Sequence, residues 1–300
     1  MFSEEQSPAA IQSCYEYCLS GGASQFYITL ATNSMEIFYR GIDAVRRYWQ
    51  QGGKGMPGLH LEGPYLNPLK KGAHIEKYIR KPALAEVKAL LDYGKDVIKI
   101  MTIAPEQCGD EIVQLLQDSG IIVSAGHSNA TYRQAMTAFD KGIPVATHLF
   151  NAMSPLQHRA PGLVGAIYDH PKVMSSLVPD GIHVDFAALR ISKKQMQERL
   201  FIITDAVTEA TGGGYPHVFK NDRYTMPDGT LSGSALTMMK GVKNLVTQVG
   251  IPLEEALRMA ALYPAQVMHM DKRYGRIEKG FAAEFVVFDE AFKVDRVIAE

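Results

Sequence analysis

The chain has 300 residues, 46% of them hydrophobic and 21% charged, which is enough apolar sequence for a sizeable core and argues against disorder. Its 31 basic and 32 acidic residues give a formal net charge of −1, so neither nucleic acid nor an anionic membrane is expected as a partner. No apolar run approaches the roughly 18 residues that span a bilayer, and no secretory leader is visible. The three cysteines favour reduced thiols over a disulfide framework, and we expect a cytoplasmic protein.

Helices and strands alternate along the first two thirds of the sequence. Apolar residues recur at helical spacing, and the intervening apolar runs have the length and composition of strands. The predicted helices are 8–19, 35–50, 82–93, 109–119 and 130–141, and the predicted strands are 25–30, 59–62, 97–103, 121–125, 144–148, 173–178 and 200–204. Strands that alternate with helices of about 10 to 15 residues form βαβ units, so a parallel sheet is expected.

Seven predicted strands precede Asp205, whereas a closed β/α barrel has eight. Either one strand is missing upstream of the first helix or the sheet is open. Beyond Asp205 the pattern changes. We predict a loop at 211–214, a hairpin at 217–234 with a turn at Asp228-Gly229, helices at 235–249 and 252–262, and short β elements at 275–280, 284–289 and 295–299. These last elements need partner strands, and none is evident at the start of the chain.

Ionisable side chains stand at the ends of four predicted strands. Glu62 closes one strand, and His127 and His148 follow two others. Because the carboxyl ends of parallel strands emerge on one face of a barrel, these side chains are expected to converge. One carboxylate and two imidazoles suit a divalent transition metal, Zn²⁺ first, with Fe²⁺, Co²⁺ or Mn²⁺ as alternatives. For each histidine alone, the alternative is a hydrogen-bonded loop residue.

Asp205 follows the seventh predicted strand and would lie at the mouth of the same site. A carboxylate there can accept a proton from a water molecule and return it to a leaving group. The alternative is that Asp205 caps the next helix, a role that is compatible with catalysis.

Other polar residues are candidates for substrate contact. His74 and His183 lie in predicted loops, where a histidine either polarises a carbonyl, binds an anion, or is simply a surface residue. Arg159 is the best cation for a phosphate, because its planar fork makes two parallel hydrogen bonds. Asn151 and Ala152 continue the strand end of His148. The turn at Leu231, Ser232 and Gly233 is weaker evidence, since any hairpin-to-helix junction needs such residues.

Six motifs follow one another along the chain: HLEGPYLNP at 60–68, KGAH at 71–74, AGHS at 125–128, THLFNAM at 147–153, DGIHV at 180–184 and ITDA at 203–206. In this order the sequence resembles the N-acetylglucosamine-6-phosphate deacetylase family of the amidohydrolase superfamily, from about residue 9 to 290. Any one of the motifs alone would be weak evidence, whereas their shared order is specific.

This resemblance implies a (β/α)8 TIM barrel of the metal-dependent-hydrolase type, a small β-sandwich domain built from both chain ends, and a homodimer. It implies the hydrolysis of N-acetyl-D-glucosamine 6-phosphate to D-glucosamine 6-phosphate and acetate in amino-sugar catabolism. The implied metal ligands are Glu62, His127 and His148, and the implied catalytic residues are Asp205 and His74, with His74 near the acetyl carbonyl. The implied substrate contacts are Ala73, His74, Asn151, Ala152, Arg159, His183, Leu231, Ser232 and Gly233, with Arg159, near the phosphate, serving a neighbouring subunit.

One feature departs from the family pattern. The family has an N-terminal β segment and a first barrel strand, often with a His-x-His pair for a second metal, and nothing in residues 1–8 corresponds to them. We therefore expect seven barrel strands, a single metal site, and a chain that is a portion of a longer protein. The expected domains are an incomplete barrel at 1–270 and a C-terminal β segment at 271–300 that is a remnant of the β-sandwich.

Two other functions are compatible with the sequence. One is an amidohydrolase that acts on a cyclic amide, a ureide or a different N-acyl sugar, because fold does not determine function. The other is a truncated, non-catalytic paralogue that binds sugar phosphate, which the missing strand suggests.

Overall fold

A parallel sheet forms the centre of the computed structural model, which describes residues 2–210 and 214–299. Seven strands lie side by side in chain order, and each pairs in parallel with the next. They are β1 (Ile28–Ala31), β2 (Leu59–Glu62), β3 (Ile98–Ile103), β4 (Ile122–Ala125), β5 (Val145–Ala146), β6 (Met174–Leu177) and β7 (Leu200–Ile202). The seven strands predicted from the sequence are confirmed.

Helices connect successive strands, as expected for βαβ units. These connecting helices are α2 (Met35–Gln50), α3 (Leu84–Gly94), α4 (Asp110–Asp118), α5 (Tyr132–Asp140), α6 (Gly162–Asp169) and α7 (Phe186–Met196), and helix α1 (Pro8–Ser20) precedes β1. The bounds of α2 agree with the prediction to the residue. Ser34 caps its first turn by accepting from the backbone N–H of Ile37, and Phe38, Ile42 and Val45 bury one face of the helix against the core.

The sheet is curled but open. A single cavity is lined by β1 and by β7, so the two ends of the sheet approach one another around it. Within residues 2–210 and 214–299, β1 pairs only with β2, and β7 pairs only with β6. The described residues therefore form a barrel-type sheet that is not closed between β1 and β7, which agrees with both arrangements considered from the sequence.

The remaining elements follow the barrel strands. They are the hairpin strands β8 (Val218–Lys220) and β9 (Arg223–Thr225), helices α8 (Met238–Asn244), α9 (Leu253–Ala260) and α10 (Leu262–Val267), a π-helical turn (Leu245–Val249), and strands β10 (Phe285–Phe288) and β11 (Val294–Ile298). A hairpin lies within the predicted range, but its two strands are joined at Asn221 and Asp222, and the predicted turn at Asp228-Gly229 is a separate one that follows β9. The predicted loop at 211–214 lies largely outside the described residues.

Some sequence expectations differ from the structure. The β element predicted at 275–280 is wrong: Gly275 and Gly280 have positive φ angles of 89° and 98°, and Ile277 between them is 85% exposed, so no strand pairing or burial supports extended structure there. Helices α6 and α7 were not predicted. Residues 162–167 of α6 are all buried, which removes the apolar stripe that identifies a surface helix.

The two last strands pair with each other in an antiparallel hairpin. This hairpin packs against the end of α1, where Gly22 lies beside Val286 and Val294. The small β unit predicted for the C-terminus is thus present, while the domain boundary at residue 270 stays a prediction. No helix of the described ranges has the length and hydrophobicity to cross a membrane.

Candidate active site

Four strand ends meet at one side of the sheet. Glu62 is the last residue of β2, His127 and His148 each lie two residues beyond β4 and β5, and Asp205 lies three residues beyond β7. All four side chains line the same cavity, which has a volume of about 1130 Å³. The convergence that the strand pattern predicts is therefore present, and it follows from the parallel strand direction together with the curl of the sheet.

Three of these residues have an unusual backbone. His127, His148 and Asp205 have φ angles of 47°, 39° and 49°, in the left-handed region that residues other than glycine rarely adopt. Such conformations cost roughly 1 to 3 kcal/mol each and persist where the surrounding structure enforces them, often at functional sites. Here the turn ends each strand abruptly and directs its side chain into the cavity.

Glu62 is the centre of the cluster. Its Oε1 atom lies 3.2 Å from His127 Nε2 and 3.0 Å from His148 Nε2, and the two Nε2 atoms are 3.1 Å apart. Although burial alone would raise the pKa of Glu62, the hydrogen bonds from the two histidines hold it well below its usual value. The carboxylate is therefore ionised, and three ligand atoms of the kinds that bind transition metals face one point.

The tautomer of His127 suits a metal ligand. Its Nδ1–H donates to the backbone oxygen of Lys70 at 2.8 Å, which directs Nε2 towards the cluster as the nitrogen that would bind a metal ion. His148 has a buried Nδ1 atom without a hydrogen-bond partner in the described part of the chain. The donor set of one carboxylate and two imidazoles fits a divalent ion with a coordination position left open for water or substrate.

His74 lies beside the same carboxylate. The backbone N–H of Thr32 donates to His74 Nδ1 at 3.3 Å, so the ring proton of neutral His74 is on Nε2, which is 3.7 Å from Glu62 Oε2. Burial lowers the pKa of His74 to about 3. His74 is thus a neutral hydrogen-bond donor that faces the cluster.

Asp205 is half-buried at the mouth of the site. Burial and the nearby charge of Glu62 raise its pKa, while His148 and His183 act in the opposite direction. Its backbone oxygen accepts from the N–H of Ser234 at 2.7 Å, which fixes the turn after β7. The alternative that Asp205 caps the next helix is wrong, because Thr237 caps α8 and no helix begins at Asp205.

Most of the predicted substrate contacts line the cavity as well: Ala73, His74, Asn151, Ala152, His183, Leu231, Ser232 and Gly233. His183 is held by Asp180, whose Oδ2 accepts from His183 Nδ1 at 2.6 Å, while the Oδ1 atom accepts from two backbone N–H groups at 2.8 Å. The Nε2 atom of His183 is left for another partner.

Arg159 is the exception. It is exposed, it does not line the cavity, and it lies in a tight turn in which Gln157 and Ala160 exchange backbone hydrogen bonds at 3.2 Å. Within a single chain the structure does not bring Arg159 to the other predicted site residues.

A polar layer that was not predicted from the sequence lies beneath the metal-ligand cluster. His60 lies on β2 two residues before Glu62, so both side chains are on the same side of the strand. Its ring is hydrogen-bonded to the hydroxyls of Thr29 at 3.0 Å and Thr102 at 2.8 Å. The Thr102 hydroxyl is hydrogen-bonded in turn to that of Thr147 at 2.8 Å, and the Thr147 hydroxyl to that of Ser124 at 2.6 Å. The period of two in the strand was the available signal. Tyr215 and His217, which also line the cavity, carried no such signal.

A parallel β/α sheet with a carboxylate and two histidines at its strand ends defines a metal-dependent hydrolase. The amidohydrolase family model matches residues 2–300, and the chain belongs to this family, whose enzymes depend on a bound metal ion. The resemblance found in the sequence is therefore confirmed.

Several relatives share most of this chain. It is 38% identical to N-acetylglucosamine-6-phosphate deacetylase of Haemophilus influenzae over 98% of its own length and 79% of the relative's. It is 31% identical to N-acetylgalactosamine-6-phosphate deacetylase of Escherichia coli O157:H7, covering 92% of this chain and 76% of that one. The crystal structure of N-acetylglucosamine-6-phosphate deacetylase from Pasteurella multocida superimposes with a TM-score of 0.92 at 38% identity, covering 98% and 79% of the two chains.

We expect the wild-type chain to bind one equivalent of Zn²⁺ or Co²⁺ and the His148→Ala variant to bind it at least about tenfold more weakly, because one of three ligands is lost. Isothermal titration calorimetry with the metal-free protein measures this. The matched control is His158→Ala, which removes an exposed histidine outside the cluster. Equal metal affinity of the His148→Ala and wild-type chains would contradict the proposed ligand set.

Proposed function

We propose that this chain hydrolyses N-acetyl-D-glucosamine 6-phosphate to D-glucosamine 6-phosphate and acetate, as a cytoplasmic enzyme of amino-sugar catabolism. The observation that carries the proposal is the Glu62, His127 and His148 cluster, with Asp205 and His74 beside it in one cavity. The names of several similar relatives support the choice of substrate.

The metal ligands in this proposal are Glu62, His127 and His148. Zn²⁺ is preferred, with Fe²⁺, Co²⁺ or Mn²⁺ as alternatives, since all accept imidazole and carboxylate ligands. When bound, the ion would polarise the acetyl carbonyl and lower the pKa of a water molecule from about 15.7 towards 7. One site is proposed, because the described residues contain one such group of ligands.

Proton transfer is assigned to Asp205. Its ionised carboxylate takes a proton from the water that attacks the acetamide carbon, and the protonated carboxyl then gives that proton to the departing amine. Its raised pKa favours the protonated intermediate form. His74 donates its Nε2–H to the acetyl oxygen as negative charge develops there, and the Thr32 N–H that occupies Nδ1 keeps the ring proton on Nε2 for this contact.

The phosphate end of the substrate is assigned to His183 and Arg159. Asp180 orients the ring of His183 and leaves its Nε2 atom for a phosphate oxygen. Arg159 is exposed, and the apolar side chain of nearby Leu156 is 52% exposed. An exposed cation beside an exposed apolar residue is suited to contact with a neighbouring subunit. We therefore propose a homodimer in which Arg159 contacts the phosphate bound by the partner subunit.

The other proposed contacts position the sugar ring between the acetamide, which reacts, and the phosphate, which anchors the substrate. Ala73 and Ala152 offer backbone groups, Asn151 offers an amide, and the turn at 231–233 forms a wall of the cavity. Ala152 has a φ of 50°, so its peptide groups are turned out of the regular extended direction.

A second candidate substrate is the C4 epimer, N-acetyl-D-galactosamine 6-phosphate. It is favoured by the similarity to the Escherichia coli O157:H7 deacetylase named for that sugar. The Glu62, His127 and His148 cluster acts on the acetamide in both cases, so the two substrates differ only in contacts to a ring hydroxyl.

We expect the purified chain with added Zn²⁺ to release acetate from N-acetyl-D-glucosamine 6-phosphate with a kcat/KM at least about 100-fold above that for N-acetyl-D-glucosamine, because the phosphate contacts are charged hydrogen bonds. An enzyme-coupled acetate assay measures both values. A ureide hydrolase would instead act on dihydropyrimidines and ignore the phosphate, and a binding protein would bind the sugar without releasing acetate.

Replacing Asp205 by Asn should lower kcat at least about 100-fold while leaving Zn²⁺ and substrate affinity within a few-fold, because the amide cannot carry the transferred proton. Acetate release and calorimetry measure the two effects separately. Asp222→Asn, at the exposed tip of the β8–β9 hairpin, is the control for the same chemical change. A kcat close to that of the wild type would remove Asp205 from this role.

The trans position of Arg159 can be tested with mixed dimers. Arg159→Ala should raise KM about tenfold or more, because a charged hydrogen bond to phosphate is lost. A heterodimer of one Arg159→Ala chain and one Asp205→Asn chain should recover about half of the wild-type activity, since one of its two sites keeps both residues. Activity no higher than that of the two mutant homodimers would mean that Arg159 acts within its own chain.

A further inference from the structure

His217 lies in the wall of the active-site cavity but has no part in the reaction proposed above. It immediately precedes β8, it is 8% exposed, and it is held by a backbone bridge in which the N–H of Ala210 donates to the His217 oxygen at 3.0 Å. A histidine at such a position either fills space or presents a nitrogen to whatever occupies the cavity.

One nitrogen of the ring is already engaged. His217 Nδ1 lies 2.8 Å from the hydroxyl of Ser232, which is 2% exposed and whose backbone N–H donates to the oxygen of Tyr224 at 3.1 Å. In the described ranges, His217 Nε2 has no hydrogen-bond partner, and it is not among the fully enclosed polar atoms. Because the ring lines the cavity, this nitrogen is accessible from the cavity.

The ring is also held in orientation relative to the metal-ligand cluster. It stacks on Tyr215 with centroids 6.3 Å apart and planes 21° apart, and the edge of Tyr215 meets His74 at 6.4 Å and 87°. The hydroxyl of Tyr215 donates to the backbone oxygen of Thr32 at 2.6 Å, and the N–H of Thr32 donates to His74. His217 and His74 are therefore parts of one packed wall, with little freedom to move independently.

The chemistry of this wall favours a neutral partner. Burial lowers the pKa of His217 to about 4, so the ring is uncharged near neutral pH and suits a hydroxyl better than an anion. In the proposed function the acetamide lies at the Glu62 cluster, and the phosphate lies at His183. The groups of the sugar that those two anchors leave for the cavity wall are its ring hydroxyls.

We propose that His217 is a specificity-determining residue that hydrogen-bonds a ring hydroxyl of the amino sugar through Nε2, while the hydroxyl of Ser232 engages Nδ1 and holds the ring in place. This inference rests on the proposed function, because it assumes a sugar phosphate in the cavity. It adds a residue that contacts a hydroxyl of the sugar ring, whereas the residues named above bind the acetamide and the phosphate.

The test compares His217→Phe, which keeps the stack on Tyr215 and removes both nitrogens, with His217→Asn, which keeps a polar group towards Ser232. The control is Lys220→Ala, an exposed position on the same hairpin. For His217→Phe we expect KM for N-acetyl-D-glucosamine 6-phosphate to rise about tenfold, the effect of one lost hydrogen bond, with kcat within about threefold. The preference for this substrate over its C4 epimer should fall as well, and His217→Asn should lie between His217→Phe and the wild type.

A wild-type KM and an unchanged epimer preference in His217→Phe would overturn this inference and leave the proposed function standing. If His217→Phe does not fold, as judged by its thermal melting, the same measurements on His217→Asn decide. If the wild-type chain shows no turnover, calorimetry measures the binding of D-glucosamine 6-phosphate to the wild-type and His217→Phe chains. An affinity about tenfold weaker for His217→Phe supports the inference. A wild-type chain that neither turns over nor binds the sugar phosphate would overturn both the proposed function and this inference.

Discussion

The contact of one buried carboxylate oxygen with two imidazole nitrogens is the constraint on which the rest of the site depends. Glu62 Oε1 lies within 3.2 Å of both His127 and His148, and removing such groups from water is costly unless each is paired. The surrounding structure provides that pairing. Lys70 orients His127 through its backbone oxygen, the hydroxyl of Thr32 donates to the main-chain oxygen of Glu62 at 3.0 Å, and strained backbone after β4 and β5 directs both rings inward.

The sheet supplies the geometry for this contact, and its curvature supplies the cavity. Parallel pairing brings the carboxyl ends of β2, β4, β5 and β7 to one side, and the cavity there continues along β7 past Phe201 to Phe285 of the C-terminal hairpin. The metal-ligand cluster lines the cavity at the strand ends, and Ile28 of β1 and Phe201 and Ile202 of β7 line it as well. The metal-ligand cluster and the unpaired edges of β1 and β7 therefore line the same cavity.

Sequence patterns predicted the features that depend on residues close together in the chain. The apolar stripe of α2, with Phe38, Ile42 and Val45, identifies the helix and its bounds, and strand direction is enough to place Glu62 near the two histidines. Long-range arrangement could not be predicted in this way. The hairpin carries Tyr215 and His217 to the cavity through contacts with residues far away in sequence, and α6 lacks a stripe because it is buried on nearly every side. The role proposed for Arg159 depends on a second subunit, and the structure of one chain leaves this residue exposed and away from the cavity.

The most direct test of this account is the position of the metal itself. Crystals of the chain grown with Zn²⁺ and measured on both sides of the zinc absorption edge would locate the ion by anomalous scattering. We expect one strong peak, with the carboxylate of Glu62 and the Nε2 atoms of His127 and His148 each about 2.0 to 2.2 Å away, and the carboxylate of Asp205 facing the open coordination position. A peak elsewhere, or Asp205 turned out of the cavity with the three ligands bound, would contradict it.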